Sequence, residues 1–111
     1  MNARLKELLE RAVSEYRRIF DGALVQVILY GSYARGDFDE ESDVDIVALV
    51  RCDREMIARN SRAMAEFSSD LSIDYGITVS PSAVPYDDYL QYRDDLPYYS
   101  NIAHEGVELI A

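Results

Sequence analysis

Apolar residues in the first twenty positions (Leu5, Leu8, Leu9, Ala12, Val13, Tyr16, Ile19 and Phe20) recur at helical spacing, with Lys, Arg and Glu between them. Such a stripe predicts an amphipathic helix over residues 3–20, ended by Asp21-Gly22. The pattern then changes. Leu24 to Tyr30 and Ile46 to Val50 are short, continuous β-branched and aliphatic runs, which predict buried strands. Asp53 is placed to cap a helix reaching Ser69, with Met56, Ile57, Ala63, Met64 and Phe67 at helical spacing. From Leu71 to Ser80, apolar Leu71, Ile73, Tyr75, Ile77 and Val79 alternate with Ser72, Asp74, Gly76, Thr78 and Ser80. This period of two predicts a strand with one core face and one polar face. Pro81 and Pro85 interrupt the chain, and Tyr86 to Arg93 forms a short helix that stops before Pro97. Pro97 suits the first turn of a last helix, Tyr98 to Glu105, with Gly106 to close it and Val107 to Ile110 as an edge strand. The sum is an α+β fold, a mixed β-sheet with helices packed mainly on one face.

Length and charge narrow what this fold can do. A chain of 111 residues makes one domain, 1–111, with a single core. The formal charge of −10 argues against a broad nucleic-acid footprint, because a polyanion needs clustered Lys and Arg to displace its counterions. An acidic surface suits solubility or a basic protein partner. Cys52 is the only cysteine, so no internal disulfide or multi-cysteine zinc site forms, and a reducing cytoplasm fits best. No apolar stretch reaches the length of a membrane span, and the N-terminus lacks the layout of a secretory signal.

Chemistry concentrates between Gly31 and Asp45. Gly31-Ser32 ends the first strand where a helical turn can begin, and glycine lets backbone approach a ligand closely. The Ser32 hydroxyl and the free N–H groups of that turn make a compact donor set suited to phosphate oxygens. Asp43 and Asp45 stand two apart just before the second strand, so both carboxylates project to one face. Side by side they repel, and a divalent cation is the usual reason to tolerate that. Oxygen ligands with a phosphate substrate favour Mg²⁺. The pattern is that of a metal-dependent phosphoryl-transfer site.

Gly31-Ser32, ten intervening residues and then Asp43-Val44-Asp45 resemble the signature of the minimal nucleotidyltransferases of the DNA polymerase β superfamily. Ala34-Arg35-Gly36 and Ser42 resemble the stretch between its two halves, and the order of elements matches over nearly the whole chain. Tyr33 departs from the pattern, where Arg is common. The resemblance implies a polymerase-β palm-like fold, Gly31, Ser32, Arg35 and Ser42 at the nucleotide, and Asp43 and Asp45 on Mg²⁺. It also implies a third carboxylate, for which Asp74 on the polar face of the later strand is the candidate, as base or metal ligand. The same residue also reads as an ordinary outward aspartate.

Other residues carry two readings. Arg35 either grips phosphate through its guanidinium or pairs with the acidic run Asp37, Asp39, Glu40 and Glu41. His104 reads as a capping or surface residue. Tyr86, Tyr89 and Tyr92 suit a partly buried helix face, with a protein interface as the alternative.

Nothing in the chain builds an acceptor pocket of its own. The resemblance therefore implies transfer of AMP from ATP or another nucleoside triphosphate to a hydroxyl presented by another protein. Similar stand-alone proteins are antitoxins that modify a tyrosine of a partner HEPN toxin. The alternatives are a protein that neutralises its partner by docking alone and, less favoured, a small-molecule (antibiotic) nucleotidyltransferase. A homo-oligomer stays open, since a dimer could form a cleft between subunits.

Overall fold

The computed structural model describes residues 2–110. Helix α1 spans Ala3–Phe20, and Asn2 caps it by accepting from Leu5 N at 2.7 Å. Its buried row of Leu5, Leu8, Leu9, Ala12, Tyr16 and Phe20 is the apolar stripe of the sequence. A short 3₁₀ turn leads into strand β1 (Leu24–Tyr30), followed by the single helical turn α2 (Ser32–Arg35) and strand β2 (Val44–Val50). Helices α3 (Arg54–Arg59) and α4 (Ser61–Tyr75) follow, the first capped by Asp53, which accepts from Met56 N at 2.9 Å. Strand β3 covers Val79–Pro85, then come α5 (Tyr86–Tyr92), α6 (Pro97–Glu105) and strand β4 (Val107–Glu108).

The sheet order is β3-β2-β1-β4, with β1 antiparallel to β2 and β4, and β2 parallel to β3. The expected mixed α+β sheet is therefore present. The long helices α1 and α4 cover one face, where Val27, Leu29, Ile46 and Val50 meet Leu8, Tyr16, Phe67 and Leu71. The short helices α5 and α6 cover part of the other, where Tyr89, Tyr99 and Ile102 pack on Ile28, Val47 and Leu49. Among the described residues no helix is long and apolar enough to cross a membrane.

Of the strand expected from Leu71 to Ser80, only Val79 and Ser80 lie in a strand, and residues 71–75 belong to helix α4. Leu71 and Tyr75 continue the buried row of Met64 and Phe67, a three-to-four-residue spacing that belongs to helix α4, and Ile73 is 80% exposed. Gly76 closes the helix, its N–H donating to Ser72 O at 2.9 Å. The strand starts at Val79, held by two serines of α4: Ser68 Oγ donates to Val79 O at 2.6 Å and Val79 N donates to Ser72 Oγ at 2.9 Å. The expected helix over 53–69 is likewise two helices, broken at Asn60.

The prolines expected to interrupt the chain lie inside β3. They are tolerated because β3 is an edge strand and Val44 N donates to Thr78 O, which directs the even-numbered peptide groups toward β2 and those of Pro81 and Pro85 outward. The fully buried Tyr16 bridges β3 to its neighbour β2. Its hydroxyl accepts from Ser82 N at 3.1 Å and lies 2.7 Å from Ser82 O and 3.3 Å from Ile46 O.

Candidate active site

Asp45 lies in β2 and Asp43 one residue before it. Val44 between them is buried in the α1/α4 core, so strand alternation turns both acids to the opposite face. Asp43 is exposed and Asp45 half-buried. Burial, and then the charge of Asp43, push the Asp45 carboxyl above its ordinary range, against a smaller opposing pull from Arg35. Among the described residues neither acid takes part in an ion pair.

The glycine-serine bend meets these acids directly. Gly31 has φ 76° and ψ −157°, and a Cβ there would collide with Asp45 Oδ2. Only glycine allows both that backbone and that approach. Gly31 O accepts from Ala34 N and Arg35 N, closing the turn of α2, whose leading N–H groups at Ser32 and Tyr33 stay outside its hydrogen bonds. The N–H groups of the glycine-serine turn and the two acids are thus side by side, although they are separated in sequence.

The remaining predicted residues divide. Arg35 pairs with Asp37 at 3.2 Å and with Glu105 at 3.0 Å, which favours its ion-pair reading while leaving it close enough to act on Asp45. Ser42 closes the acidic loop, accepting from Asp39 N at 2.9 Å. Tyr33, in place of the common Arg, stacks on Phe38 with ring centroids 4.2 Å apart and braces the same loop. Asp74 is not on a strand with Asp43 and Asp45. It sits near the end of α4 and forms a salt bridge to Arg11 of α1 at 3.0 Å, on the side of the sheet that the two acids face away from. His104 is exposed, with Nδ1 2.8 Å from Ser100 O one turn earlier in α6, as its surface reading requires.

Four residues near Asp45 were missed by sequence reasoning. Tyr30 is its direct partner on β1 and Ser80 its direct partner on β3. Ser80 Oγ donates to Asp43 Oδ2 at 3.3 Å. Two residues along, Ser82 Oγ is 3.2 Å from the Tyr98 hydroxyl, and the Tyr98 ring meets Tyr30 edge-on at 5.9 Å. Burial, and then hydrogen bonding to Tyr98, hold the Tyr30 hydroxyl protonated far above its ordinary range. Ser80-Pro81-Ser82 alternates as a strand should, but two prolines masked that signal.

The donor set fits one hard divalent cation: two carboxylates on one face, neither held in an ion pair among the described residues, next to the Gly31-Ser32 turn. Among the described residues no three acids, His or Cys converge to make a closed metal cage, so such a cation would draw further oxygens from phosphate or water. A cleft of about 700 Å³ opens elsewhere, at the far ends of β2 and β3 between Cys52, Arg54 and Tyr86. It lacks this pairing of acids and phosphate donors.

The model of the nucleotidyltransferase domain family matches residues 5–101, and the chain belongs to that family. It is 40% identical over 76 residues to "Putative protein adenylyltransferase MJ0141" of Methanocaldococcus jannaschii, covering 68% of this chain and 74% of that protein. Among solved structures it resembles a toxin-antitoxin crystallised with AMP-PNP, with TM-score 0.57, 18% identity, and 92% of this chain and 73% of the other covered. It also resembles a chain in a complex of a tri-AMPylated Shewanella oneidensis HEPN toxin with MNT antitoxin, with TM-score 0.50, 17% identity and coverage of 96% and 72%. At these identities the structures show a shared fold. Membership of the nucleotidyltransferase domain family rests on the family match.

Proposed function

We propose that this chain transfers AMP from ATP to a tyrosine hydroxyl of a HEPN-type toxin and so acts as its antitoxin, in the cytoplasm and with Mg²⁺. The observation that carries the reading is the approach of the Asp45 carboxylate to Gly31, so close that a Cβ there would collide with it, which brings the two halves of the nucleotide signature together. The relative named for protein adenylylation and the toxin-antitoxin neighbours support the choice of acceptor.

In this reading the α2 turn and the Ser32 hydroxyl hold phosphate oxygens, and Asp43 and Asp45 hold the cation. Bound there, Mg²⁺ would neutralise the triphosphate and orient it for in-line displacement. The acceptor tyrosine hydroxyl gives up its proton to solvent as its oxygen forms a bond to the α-phosphorus, the bond from that phosphorus to the bridging oxygen breaks, and pyrophosphate leaves with the electron pair. Tyr30 and Tyr98 wall the site on the β1 and α6 side, and Tyr30 stays a protonated donor. Asp74, tied to Arg11 behind the sheet, takes no part.

The test is co-expression with the partner, then labelled ATP and Mg²⁺. The partner should gain the mass of AMP on tyrosine, and Asp43→Ala should lower the rate at least about 100-fold, as expected for loss of a charge-stabilising group in the transition state. Ser80, a hydroxyl where a third acid would stand, favours a second reading in which the protein silences its partner by docking alone. Neutralisation that survives Asp43→Ala combined with Asp45→Ala would establish that reading and remove the first.

A further inference from the structure

β2 and β3 run parallel with Val44 opposite Val79, Asp45 opposite Ser80 and Ile46 opposite Pro81. Direct neighbours on adjacent strands share a face, so Ser80 faces the same way as Asp43 and Asp45. The hydrogen bond from Ser80 Oγ to Asp43 Oδ2 confirms that placement. This is the β3 position from which a side chain can join the two acids. Pro81 and Val79 point to the other face, and Ser82, the next residue on this face, is engaged with Tyr98 and Ile46 O. Several other acids of the neighbourhood are committed elsewhere. Asp37 and Glu105 hold Arg35, Asp39 closes its own loop with Ser42 and Glu41, and Asp74 holds Arg11.

Resting on the nucleotidyltransferase reading, we propose that Ser80 is a positioning residue that orients Asp43 as a ligand, and that Asp43, Asp45 and the triphosphate together hold one divalent cation rather than two. Two cations about 3.5–4 Å apart repel strongly, and sites that hold such pairs clamp them with anionic ligands. Here two carboxylates face the cation, and the third place carries a neutral hydroxyl that spends its proton on Asp43. One cation sharing both acids with phosphate oxygens satisfies this donor set. A hydroxyl that fixes a ligand's rotamer acts on affinity through that ligand, the usual role of a partner standing behind a metal-binding side chain.

The experiment counts Mn²⁺ bound to the full chain with α,β-methylene ATP, by electron paramagnetic resonance and calorimetry. The native chain should bind one ion per nucleotide. Ser80→Asp should bind two. Ser80→Ala should keep one ion at roughly tenfold weaker affinity, and Ser80→Thr, which restores the hydroxyl, should recover most of that loss. Circular dichroism melts of each variant establish that it is folded. Two ions on the native chain, one ion on folded Ser80→Asp, or unchanged affinity in Ser80→Ala would each overturn the proposal. Failure of the nucleotidyltransferase reading looks different: no Mn²⁺ with nucleotide on the native chain, or undiminished Mn²⁺ binding in Asp43→Ala.

Discussion

On one face of the sheet, α1 and α4 lay Leu8, Ala12, Tyr16 and Leu71 against Val27, Leu29, Ile46 and Val50, all within 1% of complete burial. On the other face, α5 and α6 cover Ile28, Val47 and Leu49 with a tyrosine-rich layer, and Asp43 at the sheet end stays exposed. The same β2 strand feeds both, sending Val44, Ile46 and Ala48 one way and Asp43, Asp45 and Val47 the other. The difference is one of task. Apolar burial concentrated behind the sheet stabilises a strand whose front edge carries two mutually repelling acids, so the site draws on the stability of the opposite face.

Truncation behind the sheet should give the largest effect. Leu71→Ala removes a side chain 1% exposed at the centre of the α4 contact and should lower folding stability by about 2–5 kcal/mol in urea titration. Leu90→Ala, on α5 and 44% exposed, should stay within about 0.5 kcal/mol. Similar losses for the two would break the division of labour.

Tyr16→Phe comes next. It keeps the ring and leaves Ser82 N–H and Ile46 O without the hydroxyl between them, so a loss of about 2–3 kcal/mol is expected, the upper part of the range for an orphaned buried group. Burial raises the Tyr16 hydroxyl pKa well above its ordinary value. Below about pH 10 this group is neutral in both folded and unfolded chains; above that, the unfolded chain ionises first, and stability falls by up to about 1.4 kcal/mol per pH unit. Tyr16→Phe should lack one such proton in the slope of stability against pH between about pH 10 and 11, which chemical denaturation at fixed pH measures.

At the site, Gly31→Ala tests how the bend and the acids are joined. Its backbone region is nearly closed to other residues, a cost of about 1–3 kcal/mol, and the new methyl would push on the Asp45 carboxylate. Gly36→Ala supplies the control, because it also has positive φ but nothing within 4 Å of a Cβ. Both variants should lose stability. Only Gly31→Ala should also weaken nucleotide binding, by about tenfold, the equivalent of roughly 1.4 kcal/mol. Equal nucleotide affinity in the two would separate Gly31 from the acids.

How much of this was readable in the chain depends on how local each signal is. The α1 stripe, the Asp53 cap and the runs that became β1 and β2 are decided by neighbours within a turn or a strand, and the structure places them where the pattern predicts. Residues 71–79 alternate like a strand while Met64, Phe67, Leu71 and Tyr75 keep a helical row, and only the packing of α4 on α1 decides between the two. Because β3 begins eight residues later than expected, the acid sought on it, Asp74, belongs to a helix, and its place beside Asp45 falls to Ser80. Pro81 and Pro85 hid that strand, since their tolerance depends on β3 being an edge, a property of the sheet rather than of the segment.

The smallest expected effect has the opposite sign and bears most directly on the comparison of faces. Burial and the charge of Asp43 together raise the Asp45 carboxyl above its ordinary range. A raised carboxyl pKa means that the unfolded chain ionises first as pH rises, so this group's contribution to stability is lost between the ordinary carboxylate value and the raised one. Asp45→Asn keeps the shape and removes the charge. Discounted for the solvent that still screens this half-buried group, it should stabilise the metal-free chain by roughly 0.5 kcal/mol, a rise in Tm of about 2–4 °C. The gain should be present at pH 7 and vanish below about pH 4, where the acid is protonated in both states. The same variant should lose nucleotide-dependent Mn²⁺ binding. Asp43→Asn should gain less stability, because Asp43 is exposed and already accepts the Ser80 hydroxyl. A loss of stability on Asp45→Asn at pH 7 would show that this aspartate supports the fold, and the burden assigned to the front of the sheet would have to be moved.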